Sequence, residues 1–235
     1  FELQEAMLQL RPYTKPHMPI AVASVQSPAG VQVAGKHGAS ILTITTPRDP
    51  GNPQTDLDAL WAIAETSAAE HGQTVNRDDW RLVIPVHLAE TREQAIEDVR
   101  LGGGRFQREY FETTMGRPWV VDGPPEMIVD HMIEQGAWII GTPDDCIESI
   151  NRMQERSGGF GAFMVMTVDW APREKILHSF ELLARYVMPA FQGSTLSTAS
   201  SNLWATERNA ELSAGRVRAV EKATADWEAR AGVTT

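Results

Sequence analysis

Residues 20–30 of the chain read IAVASVQSPAG and carry its clearest structural signal. The stretch begins as a short apolar run of the kind found in buried strands, and then breaks into a loop of small and hydroxyl residues. A helix-like segment, Val31–His37, comes next, and a second apolar run, Ile41–Ile44, follows it. Strand, small polar loop, helix and strand in this order predict the βαβ unit of a parallel sheet. In such sheets ligands bind at the loops that follow the carboxyl ends of the strands.

The same alternation of strand and helix signals continues along most of the chain. The predicted strands are Ile20–Ser24, Ser40–Thr45, Trp80–Leu88, Phe160–Val168 and a short one at Ala137–Ile140. The predicted helices are Pro28–Lys36, Asp56–His71, Pro125–Gln135, Pro172–Val187 and two that open at Thr91 and Thr142. A helix in each gap between strands is typical of a (β/α)8 barrel, and an open doubly wound sheet is the alternative.

Residues 101–125 interrupt this alternation. The glycines at 102–104 predict a relaxed backbone, and a charged aromatic segment, Arg105–Met115, follows them. Long excursions between core elements are often lids, so we predict a lid insertion here, with a surface decoration as the alternative.

The composition changes again after Gln192. A Ser/Thr-rich stretch predicts a linker, and a polar helix is predicted at Leu203–Arg230. The domain organisation predicted from these features is a body at residues 1–191 and an extension at residues 192–235.

The overall composition excludes several classes of protein. The formal net charge is −10 and the sequence pI is about 5.1, which argues against nucleic acid or an anionic membrane surface as a partner. The single cysteine, Cys146, cannot form an internal disulfide and indicates a reducing compartment. No apolar run reaches the roughly 18 residues of a membrane span, and the first residues lack a signal-peptide layout. The sequence therefore predicts a cytoplasmic enzyme or small-molecule binding protein without membrane association.

The number of strands is too small to close a barrel of eight. Half a barrel would leave two unpaired strand edges and one apolar face exposed to water. The first residue of the sequence is Phe1 rather than an initiator methionine. Together these observations predict that the chain lacks the N-terminal half of its barrel.

Several segments carry a recognisable pattern in a fixed order. They are Leu8–Tyr13, Val22–Gly30 followed by Ala34–Gly38, Gly141–Asp145 and Leu182–Phe191. Their order and spacing resemble the bacterial-luciferase-like flavin monooxygenases, and the first segment resembles the branch that includes limonene-type monooxygenases. The resemblance covers residues 1 to about 191. It implies a (β/α)8 TIM barrel of the luciferase-like type, of which this chain supplies about strands five to eight and a C-terminal helical extension.

The resemblance also implies where a cofactor binds. Members of the family bind reduced FMN at the carboxyl-terminal face of the barrel, through the loop after the fifth strand. Carried over to this sequence, the contacts to the flavin and its phosphate fall on Val25, Gln26, Ser27 and the backbone of Gly30. A hydroxyl and free amides at a helix start suit a phosphate, although an ordinary Ser-Pro helix cap is the alternative for Ser27. The family's catalytic residues lie mostly in the first half of the barrel, so no catalytic residue is assigned here.

The activity that the resemblance implies is a flavin-dependent monooxygenase. It would use reduced FMN and O2 to oxygenate a small apolar organic substrate, with a separate flavin reductase as partner and a homodimer as the expected assembly. Three alternatives remain: a deazaflavin-dependent oxidoreductase on the same fold, a non-catalytic flavin-binding protein, and a structural subunit whose C-terminal helix docks a partner.

The remaining reactive side chains favour structural roles. The histidines show no metal-ligand spacing, so no metal site is predicted. His87 lies near the end of a predicted strand, and we expect it to be packed or hydrogen-bonded. Cys146 falls on the predicted buried side of a helix, which indicates a core thiol rather than a nucleophile.

Overall fold

Strands and helices alternate along the chain in a computed structural model, which describes residues 4–5, 10–15, 18–25, 27–45, 56–193 and 196–232. The strands are β1 (Ala21–Ser24), β2 (Ser40–Ile44), β3 (Trp80–Leu88), β4 (Ile139–Gly141) and β5 (Ala162–Met166). The first helices are α1 (Pro28–His37), α2 (Leu57–Glu70), α3 (Arg92–Arg105), α4 (Glu126–Glu134), α5 (Pro143–Ser157) and α6 (Arg173–Leu182). The π-helical segments Phe106–Thr114 and Leu183–Val187 continue α3 and α6. The predicted α/β alternation is confirmed, with strand and helix ends shifted by a few residues.

The strands form one parallel sheet. β1 pairs with β2 and β2 pairs with β3. The long strand β3 also pairs with β5 along its first half and with β4 over its last three residues, Val86 to Leu88. All of these pairs are parallel, as the βαβ pattern predicts, and their carboxyl ends therefore lie at one edge of the sheet.

One face of the sheet is packed under helices. Side chains alternate between the two faces of a strand, so Ile41, Leu82 and Val165 point to the same side in the observed register. They belong to a hydrophobic cluster that includes apolar residues of α1, α2, α5 and α6. This cluster is the main core of the body.

The opposite face is covered only in part. It carries Ala23, Leu42, Ile44 and Met164, of which Ala23 and Met164 are exposed and the other two are half-buried. Near the carboxyl ends of the strands, Met166 packs against a second cluster built from α3 and α4 and two tryptophans. We call the remaining apolar surface, formed by these four residues, the open face.

The three glycines at 102–104 lie inside α3 instead of relaxing the backbone, so that expectation is wrong. A Cβ atom on Gly102 would collide with the carbonyl oxygen of Trp170, and one on Gly104 would collide with the carbonyl oxygen of Pro125. Glycine is present because other backbone segments approach the helix closely, which is a tertiary constraint rather than a local one.

The chain divides into two compact units, Phe1–Val187 and Met188–Thr235. The second unit contains α7 (Met188–Gln192), α8 (Leu196–Glu207) and α9 (Asn209–Ala231). The stretch predicted as a linker is helical from Leu196 onward, because no glycine or proline interrupts residues 196–214. Within the described residues, no helix has both the length and the hydropathy that crossing a bilayer requires.

Candidate functional site

The loop between β1 and α1 lies at the carboxyl edge of the sheet, where the sequence predicts cofactor contacts. Val25 is half-buried directly after β1, and Ser27 is exposed directly before α1. Gly30 lies in the first turn of α1. Gln26, the fourth predicted contact, lies outside the described residues. The loop thus has the predicted position between strand and helix.

Ser27 is the N-cap of α1. Its backbone is extended, with φ −126° and ψ 144°, and the amide of Ala29 donates a hydrogen bond to its Oγ at 3.2 Å. The Oγ of Ser24 donates to the carbonyl oxygen of Ser27 at 3.5 Å, which joins the loop to the end of β1. A hydroxyl that accepts the capping bond still has a proton to donate. The cap and a contact with an anion are therefore compatible.

Gly30 holds the start of α1 against the strand before it. A Cβ atom at this position would lie 2.6 Å from the carbonyl oxygen of Ala23 and 3.1 Å from the Cβ of Ser24. Any side chain would push the first turn of the helix away from β1. The absence of a side chain thus fixes the distance between the helix start and the strand end.

The first turn of α1 has no acidic residue. Each of the other α-helices from α2 to α6 in the described part of the body carries at least one carboxylate in its first turn. These carboxylates belong to Asp58, Glu93, Glu126, Asp144, Asp145 and Glu174. The partial positive charge at a helix N-terminus is stabilised by anions. The start of α1 is the one among these six that leaves this charge for an external anion.

Val25 lines a small cavity beside the same loop. The cavity has a volume of about 30 Å³ and also touches Thr45 at the end of β2 and Arg156 of α5. A cavity of this volume holds no more than a few water molecules. A group as large as a three-ring heterocycle does not fit inside it and would have to lie over the exposed surface of the sheet edge.

His87 is buried at the end of β3, with 1% of its surface exposed. Its Nε2 lies 3.3 Å from Oδ2 of Asp98, and the other oxygen of Asp98 accepts a hydrogen bond from Gln94 at 2.6 Å. Lys175 lies 3.7 Å from the same carboxylate. Burial lowers the pKa of His87, and the hydrogen bond with Asp98 opposes that shift in part. The prediction of a packed, hydrogen-bonded histidine is confirmed.

Cys146 is fully buried in α5 and belongs to the main core. Burial, with a smaller contribution from the charge of Asp145, raises the pKa of Cys146 to about 12. A thiol with this pKa is protonated at neutral pH and is a poor nucleophile. The prediction of a core thiol is confirmed. No group of three or more His, Cys, Asp or Glu side chains in the described ranges is arranged to hold a metal ion.

The excursion after α3 is folded onto itself by a buried ion pair that the sequence reading missed. Glu112, in the π-helical segment, pairs with Arg108 one turn earlier. Arg108 donates hydrogen bonds of 2.9 Å to the carbonyl oxygens of Val121 and Gly123, and its guanidinium lies 4.0 Å from the ring centroid of Trp119. The Arg/Glu spacing of four residues was the available signal, but that spacing is equally common on solvated helix faces.

Comparisons with known proteins agree with one another. Residues 1–159 match the sequence model of a family described as luciferase-like monooxygenase. The chain is 41% identical over 208 residues to 4-hydroxyprotoasukamycin monooxygenase of Streptomyces nodosus subsp. asukaensis. This match covers 88% of this chain and 56% of that protein. It is also 41% identical over 193 residues to limonene 1,2-monooxygenase of Rhodococcus erythropolis. This second match covers 82% of this chain and 48% of that protein.

A solved structure supports the fold. The oxygenating constituent of 3,6-diketocamphane monooxygenase from Pseudomonas putida, a type II Baeyer-Villiger monooxygenase in complex with FMN, superimposes with a TM-score of 0.57 at 24% identity. The match covers 74% of this chain and 49% of that one. The chain spans about half the length of the curated relatives it matches.

Proposed function

This chain belongs to the luciferase-like monooxygenase family, and on that premise we propose that it supplies about strands five to eight of a (β/α)8 barrel in a flavin-dependent monooxygenase. The whole protein uses reduced FMN and O2 to oxygenate a small apolar organic substrate, and a separate flavin reductase delivers the reduced cofactor. In this proposal residues 101–125 form a lid, and residues 192–235 form an extension outside the barrel.

Three observations support the half barrel. The strands are parallel and each crossover contains a helix, as in a (β/α)8 barrel. One face of the sheet is packed under helices, while the open face presents apolar side chains with no layer over them in the described residues. Two curated relatives, each named as a monooxygenase, are about twice as long as the region that matches this chain.

The observation that carries the cofactor proposal is that the start of α1 suits an anion. It lies at the carboxyl end of β1, it has an exposed hydroxyl at Ser27, and it has no carboxylate in its first turn. A phosphate monoester is the part of FMN that such a helix start would bind. The diketocamphane enzyme that superimposes on this chain was solved with FMN, which is consistent with FMN in the proposal, and a deazaflavin remains the alternative.

Each residue of the loop has a distinct part in this proposal. Ser27 would donate a hydrogen bond from its hydroxyl to a phosphate oxygen while it caps α1, and Gly30 keeps the helix start close to the strand end. Val25 would supply an apolar contact for the ring system. Bound FMN would supply the oxygen chemistry, and the protein would position it and exclude water from it. The excursion held by Arg108 and Glu112 would help to exclude that water.

A set of matched variants of the full-length protein tests the phosphate contact. We expect Ser27→Ala to weaken FMN binding by about 1–3 kcal/mol, which is the cost of leaving a charged hydrogen-bonding group unsatisfied. Ser27→Asp keeps a good N-cap but places a negative charge beside the phosphate, so it should weaken FMN binding at least as much. Thr91→Ala is the control, because it removes the N-cap of α3, where Thr91 accepts from the amide of Gln94, and leaves the loop untouched.

Titration of each variant with FMN and with riboflavin, which lacks the phosphate, isolates the contact. The Ser27 variants should bind riboflavin like the wild type, and Thr91→Ala should bind both ligands normally. Unchanged FMN affinity in both Ser27 variants would reject the contact. Oxygen uptake coupled to NADH and a flavin reductase, over a panel of apolar substrates, tests the activity itself. FMN binding without substrate-dependent uptake would instead favour a non-catalytic flavin-binding protein.

A further inference from the structure

One charged side chain interrupts the open face of the sheet. Arg81 is the second residue of β3 and points to the same side as Val83, because side chains alternate along a strand. Its neighbours in the register are Leu42 of β2 and Ala162 of β5, which are both apolar. An arginine therefore interrupts an otherwise apolar row of residues toward the amino-terminal end of the face.

The charge of Arg81 has no acidic partner in the described part of the chain. Its one hydrogen bond runs from Nη1 to the carbonyl oxygen of Asp79, at 3.1 Å, and no carboxylate oxygen of the described residues is within 4.0 Å of its guanidinium. Arg100 and Arg108, two other half-buried arginines of the body, have their charges matched by Asp130 and Glu112. Half-buried Arg77 has no carboxylate partner among the described residues either, but it stacks on Trp61 and donates to the carbonyl oxygens of Ser157 and Gly159. The half-buried Arg81 is satisfied in part by a backbone carbonyl, but no side chain among the described residues compensates its charge.

The edges of the sheet on both sides of the open face are also unpaired. Within the described ranges β1 pairs only with β2, and β5 pairs only with β3. Unpaired edges present backbone donors and acceptors to further strands, and an apolar face beside them favours a layer that continues the same sheet. The edges and the face thus fit one occupant, a further set of parallel strands.

We propose that the open face is closed by the complementary half of the barrel, and that this half places an Asp or Glu carboxylate within ion-pair distance of Arg81. The inference rests on the half barrel of the proposed function and adds the chemistry of the contact. Closure removes water from the guanidinium, and a charge buried without a partner is strongly unfavourable. A carboxylate compensates the charge of Arg81 and matches the fork of its donors.

Methionine oxidation of the full-length protein tests whether the open face is closed. Met164 lies on that face and is 40% exposed in this chain, whereas Met127 lies in α4 and is 50% exposed. With dilute peroxide and mass spectrometry, we expect Met164 to be oxidised at least about tenfold more slowly than Met127 if strands cover it. Similar rates for the two methionines would overturn both the half barrel and this inference.

The Arg81→Met variant of the full-length protein tests the carboxylate. Removing one member of a buried ion pair leaves the other charge uncompensated, so we expect Tm to fall by roughly 10 °C at about pH 8. Protonation neutralises the orphaned carboxylate, so the deficit should shrink toward about pH 5. Arg152→Met is the control, since Arg152 pairs with Glu148 in an exposed i,i+4 contact, and its Tm should change little at either pH.

Two results would overturn the carboxylate while leaving the half barrel in place. One is a protected Met164 together with a Tm deficit of Arg81→Met that is absent or independent of pH. The other concerns the case in which Arg81→Met does not fold at about pH 8, and it is the failure of Arg81→Lys to fold under the same conditions. Arg81→Lys keeps the charge and should then fold, and its failure to do so would assign Arg81 a packing role instead.

Discussion

At the start of α5, two adjacent residues differ in environment and therefore in chemistry. Cys146 is fully buried, and burial raises the pKa of its thiol. Asp145 is only partly buried, and its Oδ2 accepts hydrogen bonds from the amide of Thr142 at 2.9 Å and from the Thr142 hydroxyl at 3.0 Å. A hydrogen bond with Arg92 is the largest of the effects that lower the pKa of Asp145. The capping box was readable from the sequence because it is local, whereas Arg92 comes from α3.

Asp145→Ala should reduce the free energy of unfolding by about 0.5–2 kcal/mol at neutral pH, since it removes the carboxylate that completes the cap. The pKa of Asp145 is lower in the folded chain than in the unfolded one, so its stabilisation is present above the unfolded value of about 3.9. That stabilisation is lost as the pH falls through the folded pKa, where wild type and variant should converge. Urea unfolding between about pH 7 and pH 2 measures the difference. Asp144→Ala is the control, and an equal loss in both variants would contradict the specific role of Asp145.

At the scale of elements, periodicity and caps predicted which segments are helices and strands, because both signals are local. The same reasoning failed for the glycines of α3 and for the stretch that begins α8. In α3 the glycines are required by the backbones of Trp170 and Pro125, which are distant in sequence. In α8 a composition typical of linkers forms a helix because nothing in it interrupts one. Composition alone does not distinguish these cases.

The ion pair in the excursion leads to a prediction for the segment that it holds. Oε1 of Glu112 accepts a hydrogen bond from the amide of Val120 at 3.1 Å, and the Glu112 side chain is fully buried. We expect Glu112→Ala to leave the charge of Arg108 uncompensated and to cost about 3–5 kcal/mol of local stability. Hydrogen exchange should then accelerate in residues 116–125.

Glu109→Ala provides the matched control for this experiment. Glu109 lies in the same π-helical segment and pairs with Arg105, but both side chains are more than half exposed. Exposed pairs of this kind contribute little to stability, so exchange in residues 116–125 should stay close to that of the wild type. Equal acceleration in the two variants would mean that the segment responds to any loss of charge rather than to the buried pair.

For the whole molecule, the parallel α/β architecture was predictable from the order of strands and helices. The sequence predicted half a barrel and kept an open sheet as the alternative, because strand order alone does not say which face of each strand remains uncovered. The exposed Met164 and the half-buried Leu42 are ordinary apolar strand residues in the sequence. The candidate site was predictable only as a loop. The absence of acidic residues from the first turn of α1 is informative only when the first turns of α2 to α6 are compared with it.

The extension provides the last prediction. No residue of α8 or α9 is buried, so these helices contribute little hydrophobic stabilisation. Deleting residues 193–235 from the full-length protein should therefore leave the Tm of the body within about 2 °C of the wild type. Deleting residues 183–235 is the control, because that deletion also removes Val187, which is 2% exposed and part of the main core. We expect the shorter protein to lose several degrees in Tm. A comparable loss after deletion from residue 193 would show instead that the extension packs on the body and stabilises it.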